Sequence, residues 1–125
     1  MTTAVERMRA ISWGFDLLSS TEADERLSME IREQARAVRS RYPFETLMAA
    51  LREPGVKAQP ADLEERLNSA WEFFRRLQRE ATLPSDVRKR AMYTLRHFPL
   101  PGSAYWASLP EAAQSLAGWL KIPSD

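Results

Sequence analysis

The chain of 125 residues has no cysteine, one histidine and no long apolar run, and these absences exclude several classes of protein. Without cysteine there is no disulfide framework, no thiolate nucleophile and no cysteine-based zinc site. No stretch reaches the roughly 18 apolar residues of a membrane-spanning helix, and residues 1–7 lack the basic and apolar regions of a signal peptide. We therefore expect a cytoplasmic protein with no membrane partner.

An excess of charge of one sign is also missing. Eighteen basic side chains are balanced by 17 acidic ones, so the formal net charge is +1 and no overall field attracts nucleic acid or anionic lipid. The four glycines are isolated, which gives no phosphate-binding loop. A hydrophobic content of 44% is typical of a globular protein, and the length suits one core. We predict a single domain over residues 1–125.

The pattern that is present is helical, because apolar residues recur every three or four positions and no segment alternates as a strand does. In the first half, the spacing predicts a helix that ends near Leu18, before a polar, turn-rich run. A second helix begins near Ser28 and ends at Pro43, since a residue before proline is disfavoured in the α region. A third, shorter helix is predicted over residues 44–52.

The second half begins after a segment that interrupts helical structure. Residues 54–60 contain two prolines and one glycine, which predicts a linker. A long amphipathic helix follows, and the next helix begins at Pro84, where proline suits the first turn. A last helix is predicted from Ser108 to Lys121.

The two halves repeat one another. Residues 27–43 and 83–99 share apolar positions and an aromatic-proline ending, at a constant offset of 56 residues. Upstream, Glu6-Arg7 matches Glu65-Arg66 at an offset of 59, and Phe15 matches Phe74. We therefore predict a tandem duplication in which the loops between paired helices differ by about three residues.

Each repeat is too small to bury its apolar faces alone, so two repeats should share one core. The predicted repeats span approximately residues 3–53 and 61–121, joined by the linker 54–60. The fold class that follows is all-α, with two helical hairpins related by internal duplication. They form an approximate four-helix core, to which short additional helices are added.

The second half also resembles a known family. Glu65-Arg66, the run Leu83-Pro84-Ser85-Asp86-Val87-Arg88 and the ending Leu95-Arg96-His97-Phe98-Pro99 are similar to motifs of a family of short uncharacterised bacterial proteins. Those motifs are a Glu-Arg start, Leu-Pro-x-x-Val-Arg and Leu-Arg-His-Tyr-Pro. The first half departs from the last motif at residues 39–43. The family has no established activity, so the resemblance implies a bacterial helical protein and supports the duplication.

Catalysis has little support, because the single histidine, His97, lies at a helix end beside Arg96. A histidine there usually interacts with terminal carbonyls or the helix dipole, and its counterpart in the first repeat is Arg41. We interpret His97 as a structural cap. No spacing of histidines and carboxylates indicates a metal site, so we predict no catalytic residue, no metal, no cofactor and no enzyme activity.

Arginine is concentrated in equivalent parts of the two repeats. Residues 26–41 hold five basic and two acidic side chains, and residues 75–97 hold seven basic and two acidic ones, not counting histidine. Arg32, Arg36 and Arg39 share one helix face, where they could bind phosphates or an acidic protein. The alternative is that they pair with the first helix, because residues 1–25 hold five acidic and two basic side chains.

Aromatic residues offer a second indication of an interaction surface. Trp13, Trp106 and Trp119 lie off the apolar stripes, and Tyr105 precedes Trp106 after a proline-rich loop. Tryptophan and tyrosine near arginine often anchor protein interfaces, although they also cover small cores from the side. The leading prediction is a non-catalytic adaptor or regulator that binds another protein, as a monomer or homodimer.

The alternative is a nucleic-acid-binding protein that uses the two arginine-rich helices. A helix-turn-helix is disfavoured because residues 18–28 make too long a connection. The candidate interaction residues are Arg32, Arg36, Arg39, Arg88, Lys89, Arg96, Tyr105, Trp106 and Trp119.

Overall fold

A computed structural model describes residues 4–45 and 60–98 of the chain. This part of the chain holds four α-helices and no strand, which confirms the all-α prediction. The helices are α1 (Ala4–Ala23), α2 (Met29–Arg41), α3 (Pro60–Arg79) and α4 (Ser85–Leu95). None of the described helices has the length and apolar character that crossing a bilayer requires.

The ends of α2 and α4 lie where local sequence signals place them. The Ser28 hydroxyl accepts the Ile31 N–H at 3.3 Å and caps the start of α2. At the other end the Tyr42 N–H donates to the Arg39 carbonyl, and Pro43 prevents continuation. Pro84 immediately precedes α4, and its carbonyl accepts the first helical N–H groups.

Helix α1 is longer than predicted, because it continues past Leu18 to Ala23. The polar run does not break it, since two of its hydroxyls bond back to the helix. Ser19 Oγ donates to the Phe15 carbonyl and Ser20 Oγ to the Leu17 carbonyl, each at 3.1 Å. Serine in this geometry satisfies its own polar group and leaves the helical hydrogen bonds in place.

Other predicted boundaries are corrected or lie outside the described residues. The predicted linker ends one residue earlier than expected, because Pro60 is already the first residue of α3. The predicted short helix over 44–52 is described only at Phe44 and Glu45, which are helical. The last predicted helix, from Ser108, lies outside the described residues.

The two hairpin connections have the same length, so the predicted difference of three residues is wrong. Asp24–Ser28 joins α1 to α2, and Glu80–Pro84 joins α3 to α4. The offset of 56 residues therefore holds from Ala4 through the whole unit, and it also relates the buried positions of α1 and α3. The buried residues Ile11, Gly14, Leu17 and Leu18 of α1 correspond to Leu67, Ala70, Phe73 and Phe74 of α3. Phe15 corresponds to Trp71 in this register, and its predicted match to Phe74 is wrong.

The four helices are arranged as a ring, in which the close neighbours are α1–α2, α2–α3, α3–α4 and α4–α1. Helices α1 and α3 occupy one diagonal, and α2 and α4 occupy the other. Exchange of the two hairpins preserves this pattern. Arg90 Nη1 donates to Ser20 Oγ at 2.7 Å, and the corresponding residues, Gln34 and Arg76, are also hydrogen-bonded to each other. The hairpins are therefore related by an approximate twofold axis along the bundle.

The core is built around aromatic rings near this axis. Tyr42 and Phe98, which correspond to each other in the two hairpins, lie 6.4 Å apart between ring centroids. Phe15 lies 6.2 Å from Tyr42, and Phe74 lies 5.5 Å from Phe98. The Tyr42 hydroxyl is buried and donates to the Ile11 carbonyl at 2.6 Å. Each fully buried phenylalanine or leucine contributes about 1.5–3 kcal/mol by its removal from water.

Candidate protein-interaction site

The arginine stripe of α2 converges on one glutamate at the end of α1. Arg36 Nε lies 3.0 Å from Glu22 Oε1, and Arg39 Nε lies 2.7 Å from Glu22 Oε2. Arg32 Nε donates to the Glu22 backbone carbonyl at 3.2 Å. All three predicted binding residues of α2 therefore contact α1 within the first hairpin. This is the arrangement expected if these arginines pair with the acidic first helix.

This arrangement changes the acidity of the Glu22 carboxyl group. The hydrogen bond from Arg36 holds the pKa of Glu22 below its ordinary value, and Arg39 adds to this effect against the opposing influence of desolvation. The carboxylate stays ionised and offsets the charge of the guanidinium groups. The stripe consequently presents less net positive charge to a partner than its sequence indicates.

The basic residues of α4 have different surroundings. Arg88 corresponds to Arg32, but its Nε donates at 3.2 Å to the carbonyl of Leu83, which lies in the connection just before α4. Lys89 is exposed. The Arg96 guanidinium lies 5.9 Å from the centroid of the Tyr93 ring. Because α2 and α4 lie on a diagonal, α1 and α3 lie between the basic residues of these two helices, whereas Arg75, Arg76 and Arg79 of the second basic block lie on α3 beside α2. Tyr105, Trp106 and Trp119 lie outside the described residues.

His97 links the end of α4 to the beginning of α1. Its Nε2 lies 2.9 Å from Glu6 Oε2. In the other hairpin, the counterpart Arg41 lies with Nη2 at 2.8 Å from Glu65 Oε1 of α3. Each hairpin therefore ends in a cationic or hydrogen-bonding side chain that contacts a glutamate of the other hairpin. The proposed role of His97 as a cap of terminal carbonyls stays a prediction.

The Glu-Arg motif seen in the sequence has a structural role at this contact. Besides the Glu65 ion pair, Arg66 Nη1 donates to the backbone carbonyl of Arg41, the last residue of α2, at 3.2 Å. Glu65 lies three residues further along α3 than Glu6 lies along α1. The two positions are nearly one helical turn apart, on similar faces. This explains why the motif repeats at an offset of 59 although the helices repeat at 56.

A groove of about 540 Å³ runs between α1 and α4. Its middle is lined by Ala10 and Trp13 of α1 and by Tyr93 and Thr94 of α4. The two aromatic residues are unusually accessible, with 45% of Trp13 and 49% of Tyr93 exposed. Large exposed aromatic residues that line one concave surface are typical of a binding site. We refer to this surface as the α1–α4 groove.

The charged residues of the α1–α4 groove differ between its ends. Where α1 begins and α4 ends, the lining includes the Glu6–His97 pair together with Arg9 and Arg96. Within residues 4–45 and 60–98, Arg9 has no ion-pair or hydrogen-bond partner. The other end holds Asp16 and Arg90, one of each charge. The first end therefore carries the larger positive charge.

Sequence reasoning identified only part of this groove. Trp13 was recognised as lying off the apolar stripe and Arg96 was a candidate, but Arg9, Arg90 and Tyr93 were not. The groove forms because α1 packs against α4, and a pattern of neighbouring residues in the sequence does not indicate this packing. An available signal was that Trp13 and Tyr93 are large aromatic residues on the otherwise polar faces of their helices.

The described residues hold no group of three histidine, aspartate or glutamate side chains that could bind a metal ion. The resemblance of the second half to short bacterial proteins rests on its sequence motifs alone and stays a prediction. No protein-family model matches the chain, and no curated protein and no solved structure shows detectable similarity to it.

Proposed function

We propose that this chain is a non-catalytic helical interaction protein, an adaptor or regulator, that binds a segment of another protein in the α1–α4 groove. The observation that carries the proposal is the exposure of Trp13 and Tyr93 along one concave surface. The proposal keeps the sequence-based expectation of a cytoplasmic protein that acts as a monomer or homodimer.

The composition of the groove supports protein binding. Tryptophan, tyrosine and arginine are the residues that most often dominate the energy of protein interfaces, and the groove holds all three types. Its volume lies within the range of about 300–1,000 Å³ that is usual for ligand pockets. A partner side chain placed there would remove both exposed rings from water.

Nucleic-acid binding by the two arginine-rich helices has weaker support. Arg32, Arg36 and Arg39 of α2 are held at Glu22, and α2 and α4 lie on a diagonal of the bundle.

The non-catalytic part of the proposal rests on His97. Its contact with Glu6 has a counterpart in the contact of Arg41 with Glu65. Arginine stays protonated at accessible pH and cannot act as a general base, so the shared role of the two contacts is to join the hairpins.

A photocrosslinking amino acid at position 13 tests the proposal in cells. It should crosslink a specific protein, and the same amino acid in place of Met29, which is 62% exposed on α2, serves as the control. For the identified protein, we expect Trp13→Ala to weaken binding about tenfold or more, and Met29→Ala to leave it unchanged. Equal binding by the two variants would contradict the proposal, as would crosslinking to nucleic acid at position 13.

A further inference from the structure

We infer that the α1–α4 groove binds an acidic segment of its partner, with an apolar or aromatic side chain against Trp13 and Tyr93 and a carboxylate held by Arg9 and Arg96. This inference rests on the proposed function, because it requires the groove to be a protein-binding site. The inference specifies the kinds of side chain in the bound segment and which end of the groove its acidic residue occupies.

The argument begins with the charges at one end of the groove. Glu6 is the carboxylate there, and it already contacts His97 at 2.9 Å. Arg9 has no partner among the described residues, and the described contact of Arg96 is with the Tyr93 ring. Two guanidinium groups therefore line the same end of the groove, and neither contacts a carboxylate of residues 4–45 or 60–98. A carboxylate from a partner would supply the missing charge.

The contact of Arg96 with the Tyr93 ring favours carboxylate binding at this end of the groove. A guanidinium over an aromatic face is attracted by the ring, and it keeps its N–H groups at the edge of the guanidinium plane. Those N–H groups are the donors that bind the two oxygens of a carboxylate. The same contact places the Arg96 guanidinium beside the exposed Tyr93 ring, so one ligand can contact both groups.

The opposite end of the groove does not have this excess of positive charge. Asp16 and Arg90 both line it, and the Arg90 guanidinium also donates to Ser20 Oγ at 2.7 Å. An acidic residue of the partner is therefore favoured near Arg9 and Arg96, and disfavoured near Asp16. The charge pattern sets the orientation of the bound segment as well as its composition.

The test uses the full chain and synthetic peptides, observed by the NMR signal of the Trp13 indole N–H. That signal is assigned by its loss in Trp13→Phe. One peptide carries a leucine or tryptophan flanked by aspartate and glutamate, and a matched peptide carries lysine in their place. We expect saturable shifts of the Trp13 signal with the acidic peptide, weakened by added salt, and much smaller shifts with the basic peptide.

Charge-reversed variants connect the binding to the two arginines. We expect Arg9→Glu and Arg96→Glu each to weaken binding of the acidic peptide about tenfold or more. Arg79→Glu is the matched control, because it makes the same arginine-to-glutamate change at an exposed residue of α3 that does not line the groove. Its binding of the acidic peptide should change less than about twofold.

The outcomes separate this inference from the proposed function. If both peptides shift Trp13 equally, or if Arg9→Glu binds as well as the unmodified chain, the groove is a binding site but the acidic preference is wrong. If no peptide shifts Trp13 and position 13 crosslinks no protein, both are wrong. Stronger binding of a single-stranded oligonucleotide would overturn the inference. So would concentration-dependent shifts without peptide, which indicate a second copy, or contacts of Trp13 with Tyr105 or Trp106, which indicate the chain's own C-terminal segment.

Discussion

Gly14 determines how closely α1 approaches the aromatic core. A Cβ atom at this position would lie 2.6 Å from the Tyr42 hydroxyl oxygen and 3.1 Å from two ring carbons of Phe74. Real Cβ atoms rarely approach other atoms to this extent, so a neighbour would have to move. The residue is in a regular helix, and the requirement for glycine comes from the space around it.

We expect Gly14→Ala to destabilise the fold by about 1–2 kcal/mol. Crowding of a packed core typically costs about 1–3 kcal/mol, and the better helix propensity of alanine returns up to about 1 kcal/mol. The measurement is the free energy of unfolding in urea. Without the Tyr42 hydroxyl the new methyl group has more room, so the cost of Gly14→Ala should fall in a Tyr42→Phe background. An unchanged cost in that background would mean that Phe74 alone causes the crowding.

The junction of α1 and α2 depends on an ionised Glu22. The pKa of this carboxyl is lowered in the folded chain, chiefly by its hydrogen bond with Arg36. A carboxyl group whose pKa is lower in the folded chain stabilises the fold at pH values above its ordinary pKa, which is 4.5 for glutamate. This contribution is lost as the pH falls through the lowered pKa. The stability that the α2 arginines confer is therefore acid-sensitive.

We expect unfolding free energy to fall between about pH 7 and about pH 3.5, and to fall less in Glu22→Gln. Some dependence should remain in the variant, because Arg26 lowers the pKa of both Asp24 and Asp86. The measurement is urea denaturation at several pH values. Glu33→Gln is the control, since Glu33 is an exposed residue of α2 without an ion pair among the described residues. Equal acid sensitivity of Glu22→Gln and the unmodified chain would contradict the assignment.

The elements that the sequence predicted well are those with local causes. The bounds of α2 follow from the Ser28 cap and from Pro43, both of which act on adjacent residues. The end of α1 was placed too early because serines favour both turns and bonds to their own helix, and composition does not distinguish these cases. That error also produced the wrong register for Phe15. The groove was missed because it depends on the packing of α1 against α4.

At the scale of the molecule, each hairpin completes the core of the other. Helix α1 packs on α4, and α2 packs on α3, so half of the close helix neighbours in the described bundle join different hairpins. The rings of Tyr42 and Phe98 also meet between the two units. Neither hairpin has a separate core, and the described helices should unfold together.

We therefore expect Leu27→Ala and Leu83→Ala to lower the stability of the whole bundle. These corresponding residues are both buried, and loss of a buried leucine side chain costs about 2–5 kcal/mol. The measurement is native-state hydrogen exchange of core amides in both hairpins. Either substitution should increase the exchange of the slowest amides in α2 and α4 alike. An increase confined to the mutated hairpin would show that the two units unfold independently.

The contact of His97 with Glu6 has one more consequence. It places the end of the last described helix beside the beginning of the first, at 2.9 Å between side-chain atoms. In a bundle whose first and last helices are neighbours, every helix has two neighbours, and the same ring can be built from a chain that starts at a different helix. A circular permutant that began at α3 and ended at α2 would preserve every helix neighbour described here. The geometry of the core therefore does not require one hairpin to precede the other along the chain.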